Sequence, residues 1–108
     1  MSEWTPIIAR DKLIADAGVC ALVNGKQVAI FLDAKTEQLF ALDNYCPASH
    51  ANVLSRGLIS SIKNTLAVAS PLYKEHFSLT TGECLEDATL SVPVYDIRVN
   101  QGVVEVSA

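Results

Sequence analysis

Turn motifs that separate short runs of β-forming residues place the strongest constraint on the fold of this chain. Asn24-Gly25 lies between the runs GVCALV and QVAIFLD, and an Asn-Gly pair in that setting favours a hairpin because both turn positions require positive φ. Thr80-Thr81-Gly82 and Asn100-Gln101-Gly102 separate further β-type runs in the same way. The spacing predicts about seven to nine short strands, which is typical of an all-β antiparallel sandwich or small barrel.

The rest of the chain fits the same fold class. EQLFALD (37–43) and NTLAVAS (64–70) are predicted strands, and TPIIARDKLIAD is predicted to begin as a strand and continue as a short helical turn. Pro93 lies inside a strand-like run and is expected at a sheet edge or a bulge, because proline has no N–H to donate. A length of 108 residues supports one core, so we predict a single domain over residues 1–108.

Composition and charge argue against several classes of function. Half of the residues are hydrophobic and 19% are charged, as in a packed globular domain rather than a disordered chain. The net charge is -4 and the few basic residues are scattered, which disfavours nucleic acids and anionic membranes as partners. The sequence shows neither a signal-peptide pattern nor an apolar stretch as long as a membrane helix. We therefore expect a cytoplasmic protein.

Two long loops carry residues with metal-binding chemistry. DNYCPASHANVLSRG (43–57) and SPLYKEHFSLTTGEC (70–84) each contain one cysteine and one histidine, and long loops in a compact β domain usually exist for function. Two thiolates and two imidazoles can hold zinc when they converge tetrahedrally. The spacing favours another interpretation, in which both histidines are solvated and the first cysteine is a half-exposed thiol. The residues concerned are Cys46, His50, His76 and Cys84.

The cysteine count argues against a disulfide scaffold. The chain has three cysteines, an odd number at low density, and in a reducing cytosol they should be free thiols. Cys20 lies in the apolar run GVCALV and is expected to be a small core residue.

The two long loops resemble the cluster-binding loops of Rieske-type iron–sulfur domains. In that family the first loop reads roughly C-P-H-x-G-A-x-L-x-x-G, and the second roughly C-P-x-H-G-x-x-F-x-x-x-T-G-x-C. The resemblance extends over about residues 5–107 and implies a Rieske-like fold with both loops at one tip. The retained residues of the first loop are Cys46-Pro47 and Ala51, followed by Leu54 and Gly57, each one residue later than in the pattern. Those of the second loop are Pro71, Phe77, Thr81-Gly82 and Cys84.

The cluster ligands of that family are largely missing from this sequence. A Rieske [2Fe–2S] cluster needs two thiolates on one iron and two imidazoles on the other. The corresponding positions are Cys46, Ala48, Ser70 and Tyr73. Only the cysteine can bind iron in the expected way, since alanine has no donor atom, and an alcohol and a phenol deprotonate far less readily than a thiol or an imidazolium. We therefore expect neither a cluster nor any other metal or cofactor in this chain.

A narrower resemblance is to the family of small subunits of bacterial assimilatory NAD(P)H-dependent nitrite reductases. The stretches NVLSRG, SPLYKEHFSLTTGECLED and SVPVYDIRV carry it, and in that family the Rieske frame persists while the ligands are commonly absent. It implies a cytosolic protein that works with a large subunit. That subunit would carry FAD, an iron–sulfur cluster and sirohaem, and would reduce nitrite to ammonium with electrons from NADH. The sequence does not distinguish NADH from NADPH, since we find no nucleotide-binding motif in it.

A chain without redox cofactors cannot pass electrons, so the resemblance implies a docking role. The tip would offer an apolar, aromatic centre with a polar rim, and such residue types dominate protein interfaces. The candidate interface residues are Leu54, Arg56, Pro71, Leu72, Tyr73 and Lys74.

Two other functions stay open at this point. One is a Rieske-type [2Fe–2S] electron carrier, similar to a ferredoxin, with unusual ligands. The other is a stand-alone binding module. Glu83, Glu86 and Asp87 form an acidic cluster after a turn, which we interpret as a solvated surface rather than as a catalytic site.

Overall fold

The computed structural model describes residues 3–72 and 75–108. Over these residues the fold is all-β, as predicted, but it has eleven strands in three antiparallel sheets rather than seven to nine, because the first long loop contains a two-residue pair of its own. The strands are β1 (Thr5–Ala9), β2 (Val19–Val23), β3 (Lys26–Leu32), β4 (Leu39–Asp43), β5 (Tyr45–Cys46), β6 (Ala51–Asn52), β7 (Leu58–Ile62), β8 (Thr65–Ala69), β9 (His76–Ser78), β10 (Val94–Asn100) and β11 (Val103–Ser107).

The largest sheet has six strands in the order β1-β11-β10-β4-β3-β2, and a second sheet has the order β7-β8-β9. The third sheet is the short pair β5-β6 within the first long loop. A 3-10 turn at Arg10–Lys12 follows β1, which confirms the predicted strand and helical turn. No helix in the described part of the chain is long and apolar enough to cross a membrane.

Two of the three predicted hairpins form as expected. The β2–β3 turn has positive φ at Asn24 and Gly25, and the β10–β11 turn has positive φ at Gln101 and Gly102, as two-residue hairpin turns require. Gly82 also has positive φ, but the run ECLE that follows it makes only isolated bridges to its neighbours.

The sequence reasoning missed one hairpin. β7 and β8 pair antiparallel through a turn at Lys63 and Asn64, both with positive φ. The turn lacks a glycine, although asparagine tolerates this conformation better than most residues.

The core lies on both sides of β3, whose last five residues are all buried. Because strand side chains alternate between faces, Val28 and Ile30 pack in one cluster with β11, while Ala29 and Phe31 pack in another with the three-stranded sheet and the long loops. β3 therefore connects the core of the six-stranded sheet to the core beneath the two long loops.

Two sequence predictions about individual residues are wrong. Pro93 lies at neither an edge nor a bulge: it immediately precedes β10, a central strand that begins at Val94, and a missing N–H is harmless before the ladder starts. Cys20 is exposed rather than buried, because the alternation of edge strand β2 turns it outward together with Leu22.

Candidate functional site

The strand connections bring the two long loops together at one tip. β4 leads directly into the first loop through Asn44, and β8 leads into the second through Ser70. The Cys46 Sγ and Ser70 Oγ atoms, one from each loop, lie 3.4 Å apart. Gly57 permits this approach, because a Cβ atom there would lie 2.1 Å from the carbonyl oxygen of Ala69.

Asn44 connects the first loop to strand β3, a role that the sequence did not lead us to expect. The side chain is buried, with 3% exposure. Its Oδ1 atom accepts a hydrogen bond of 2.6 Å from the Ser55 N–H, and its Nδ2 donates to Gln27 Oε1 on β3 at 3.2 Å. The sequence did contain a signal for this role, because Asn44 is a polar residue directly after an apolar strand. A buried amide at such a position must find partners for both its donor and its acceptor.

Cys46 is fully buried, so the expectation of a half-exposed thiol is wrong. It packs in the cluster that contains Phe31 and Phe77, because the short β5–β6 pair folds the loop back over the core. Burial alone would raise the pKa of the thiol, but the hydroxyl groups of Ser49 and Ser70 and nearby backbone N–H groups outweigh burial and lower it.

His50 closes a tight turn within the first loop. Its N–H donates to the Cys46 carbonyl oxygen at 2.8 Å, and its φ is 55°. It stands before Ala51, where the Rieske pattern has a glycine, and a positive φ is the conformation that glycine supplies most easily. Its exposed ring meets the Tyr45 hydroxyl, at 3.1 Å from Nδ1. His50 is therefore solvated, as predicted.

His76 begins strand β9 of the three-stranded sheet, while Cys84 bridges to Phe77 of that strand and packs in the same core cluster as Cys46. His76 Nδ1 is 2.6 Å from Glu86 Oε2, so this histidine is half-buried in a hydrogen bond with a carboxylate rather than simply solvated. Cys84 is buried opposite Phe77. Among residues 3–72 and 75–108, no three His, Cys, Asp or Glu side chains converge in a way that could hold a metal ion. The hypothetical two-cysteine, two-histidine zinc set does not assemble.

The donor set at the tip does not fit a Rieske cluster. Cys46 supplies one thiol, Ser70 is a buried alcohol in contact with it, and Ala48 packs as an apolar residue against the core. Two thiolates and two imidazoles are required. Tyr73, the fourth family position, lies outside the described residues and has no imidazole in any case.

The interface candidates divide into three groups. Leu54 is fully buried in the core cluster, so its assignment to an exposed tip is wrong; a 3-10 turn directs its side chain inward. Arg56, Pro71 and Leu72 are exposed as expected, and Leu72 is 57% exposed. Tyr73 and Lys74 lie outside the described residues. Tyr45, which was not a candidate, adds an exposed aromatic ring to the tip.

Comparison with known proteins agrees with this architecture. The Rieske-like [2Fe-2S] domain family matches residues 3–107. The nitrite reductase (NADH) small subunit of Salmonella typhimurium is 49% identical over 105 residues, which cover 97% of both chains. The chain belongs to the Rieske-like family, in the branch of nitrite reductase small subunits.

Two further relatives extend the comparison. The solution structure of the Escherichia coli protein NirD superposes with a TM-score of 0.91 at 44% identity and covers 100% of this chain and 98% of that chain. A Klebsiella oxytoca nitrite reductase [NAD(P)H] large subunit is 36% identical over 99 residues, which are 92% of this chain and 10% of that protein. In that relative, a small-subunit-like segment is therefore part of a polypeptide named as a large subunit.

Proposed function

We propose that this chain is a non-catalytic small subunit of a cytoplasmic NADH-dependent nitrite reductase, which docks on the large subunit and supports its reduction of nitrite to ammonium. The observation that carries the proposal is the loss of the family's ligand residues at the tip. The two loops keep the Rieske frame, but a buried contact between Cys46 and Ser70 stands where the family pattern has two cysteine ligands.

The side chains at the tip supply no redox chemistry, so the proposed role is one of contact. A six-electron reduction needs cofactors that amino acid side chains do not replace. The FAD, iron–sulfur cluster and sirohaem expected for such an enzyme are assigned to the large subunit, and none to this chain. The exposed residues Leu72 and Pro71 of the second loop and Arg56 and Tyr45 of the first provide the apolar, aromatic and cationic residue types that are enriched at interfaces.

The large subunit is the proposed partner for two reasons. Relatives that cover nearly the whole chain are named as small subunits of this enzyme. In addition, the Klebsiella oxytoca protein contains a segment of this type within a polypeptide named as the large subunit. Such a fusion fits a domain that works next to the large subunit.

Tip variants test the docking proposal. Leu72→Ala and Arg56→Ala should each weaken binding to the purified large subunit by about fivefold or more, which corresponds to more than ~1 kcal/mol. Val99→Ala on β10 is a matched control, because Val99 is also exposed but lies on the six-stranded sheet. Calorimetric titration would measure the affinities. If both tip variants bind as tightly as the control, the tip is not the docking surface.

An absorption spectrum with iron and zinc analysis tests the cofactor assignment. Protein purified without oxygen should be colourless and metal-free. A brown protein with about two irons per chain, as a [2Fe–2S] cluster requires, would instead support an electron carrier with unusual ligands.

A further inference from the structure

β7 (Leu58–Ile62) has a free edge. It pairs with β8 on one side, and no strand in the described ranges pairs with the other. Natural proteins protect exposed edges with charges, prolines or bulges. The β7 sequence LISSI contains no charged residue and no proline, and its pairing with β8 is regular throughout.

The register shows which backbone groups of β7 are unpaired. The two-residue turn at Lys63 and Asn64 is closed by the pair Ile62–Thr65, and hydrogen-bonded and non-hydrogen-bonded pairs alternate from there. Ile59 and Ser61 therefore direct their N–H and C=O groups away from β8. None of the backbone hydrogen bonds outside the sheets involves either residue in the part of the chain that the structure describes.

A cleft of about 650 Å³ reaches β7. Residues of all three strands line it, so it extends over the three-stranded sheet and borders β7 at one side; they are Ile59, Ser60, Ser61, Thr65, Leu66 and Ser78. Residues of the β3–β4 connection and of β4, including Thr36 and Gln38, line it too. β8 leads from this region towards the tip, so the cleft lies at the opposite end of the three-stranded sheet from the docking loops.

The cleft carries carboxylates with spare hydrogen-bonding capacity. Asp16 accepts the Ala34 N–H through Oδ1 at 3.0 Å, and Asp33 accepts the Thr36 hydroxyl and N–H through Oδ2 at 2.7 and 3.0 Å. The Thr36 hydrogen bonds hold the pKa of Asp33 below its ordinary value, so this carboxylate is charged at neutral pH. One cation, Lys35, also lines the cleft. An occupant with a basic side chain would find charge complementarity there.

We propose that an extended segment of the large subunit, bearing a basic side chain, occupies this cleft and adds to β7 as a fourth strand. Backbone groups of an added strand would pair with the free groups of Ile59 and Ser61, which is the usual mode of strand addition. A second copy of this chain is a poorer occupant, because its own β7 lies beside the same acidic connection. This inference rests on the proposed function and deepens it.

Hydrogen exchange in the complex tests the proposal directly. The amides of Ile59 and Ser61 should exchange as exposed amides in the free chain and slow by about tenfold or more when the purified large subunit saturates it. The Ser60 amide, which faces β8, is the internal reference and should be slow in both states. If the large subunit binds but the amides of Ile59 and Ser61 stay unprotected, strand addition is wrong, while the proposal that the chain docks on the large subunit still stands. Protection that rises with the concentration of the free chain indicates self-pairing and also overturns it. A complete lack of binding defeats the proposed function itself.

A matched pair of variants at one position isolates the backbone group. Ser61→Pro removes an N–H that faces the cleft, while Ser61→Ala keeps it. We expect the proline variant to bind the large subunit at least about tenfold more weakly, and the alanine variant within about twofold of the parent. Asp16→Asn keeps the acceptor for Ala34 and should weaken binding about threefold at low salt, and less at high salt. Equal affinities for the two Ser61 variants would refute the added strand. An Asp16→Asn variant that binds as tightly as the parent would refute the claim that the bound segment carries a basic side chain.

Discussion

Replacement of Asn44 by alanine tests how the first long loop is held in place. The Asn44 side chain connects the Ser55 N–H in the loop to Gln27 on β3. Alanine removes these two hydrogen bonds, together with a weaker one from Nδ2 to Cys20 Sγ at 3.5 Å, and leaves the Ser55 N–H without its acceptor in a partly buried position. The protein then loses the attachment of the loop and gains an unsatisfied donor.

The cost can be estimated from these contacts. Each lost hydrogen bond contributes about 0.5–1.5 kcal/mol, and an unsatisfied buried donor costs about 1–3 kcal/mol. We expect Asn44→Ala to lower the free energy of unfolding by about 2–4 kcal/mol. For a domain of this size the melting temperature would fall by roughly 8–16 °C.

Urea denaturation and hydrogen exchange would measure the effect. Asn52→Ala is the matched control, because Asn52 lies in the same loop but is exposed; its effect should stay within about 0.5 kcal/mol. The Ser55 amide should exchange faster in Asn44→Ala and at the normal rate in Asn52→Ala. If both variants have the same stability, Asn44 does not anchor the loop and our account of the tip is wrong.

Two further predictions concern the contacts around the tip and the three-stranded sheet. Gly57→Ala would force a Cβ against a backbone oxygen at 2.1 Å and should destabilise the protein by about 1–3 kcal/mol in thermal unfolding; an unchanged melting temperature would contradict the close approach of the loops. Burial would raise the pKa of Glu86, but the His76 N–H and ring outweigh burial and lower it below 4.5. A lowered pKa in the folded state means that ionised Glu86 stabilises the fold at pH values above the pKa of an unfolded glutamate, and that this contribution is lost as the pH falls through the lowered pKa. The stability difference between the parent and Glu86→Gln should therefore be present at pH 6 and shrink progressively as the pH is lowered below about 4.5. A difference that is unchanged down to pH 2 would argue against the contact between Glu86 and His76.

Local signals in the sequence predicted the strands and turns well, because hairpin turns depend on residues that are adjacent in the chain. Asn24-Gly25 and the turn before β11 formed as expected, and the all-β fold followed from them. The β7–β8 hairpin was not predicted, because its Lys63-Asn64 turn has no glycine to mark it.

Burial in the long loops could not be predicted in the same way. Cys46 and Leu54 are buried because the first loop folds back over the core, and this depends on contacts with β3 and β8 that are distant in sequence. Cys20 was misplaced for the opposite reason: an apolar run predicts a strand, but which of its faces is covered depends on the neighbouring strands.

The tip illustrates how a loop frame can remain ordered without a donor set that fits a cluster. Leu54 and Cys46 anchor the first loop through the core, Asn44 fixes it by hydrogen bonds, and the contact between Cys46 and Ser70 joins it to the second loop. These contacts are apolar packing and neutral hydrogen bonds, so they stabilise the loops whether or not a metal is bound. Arg56 is on the loop held in this way, and a loop that is ordered before binding would lower the entropic cost of the docking proposed above.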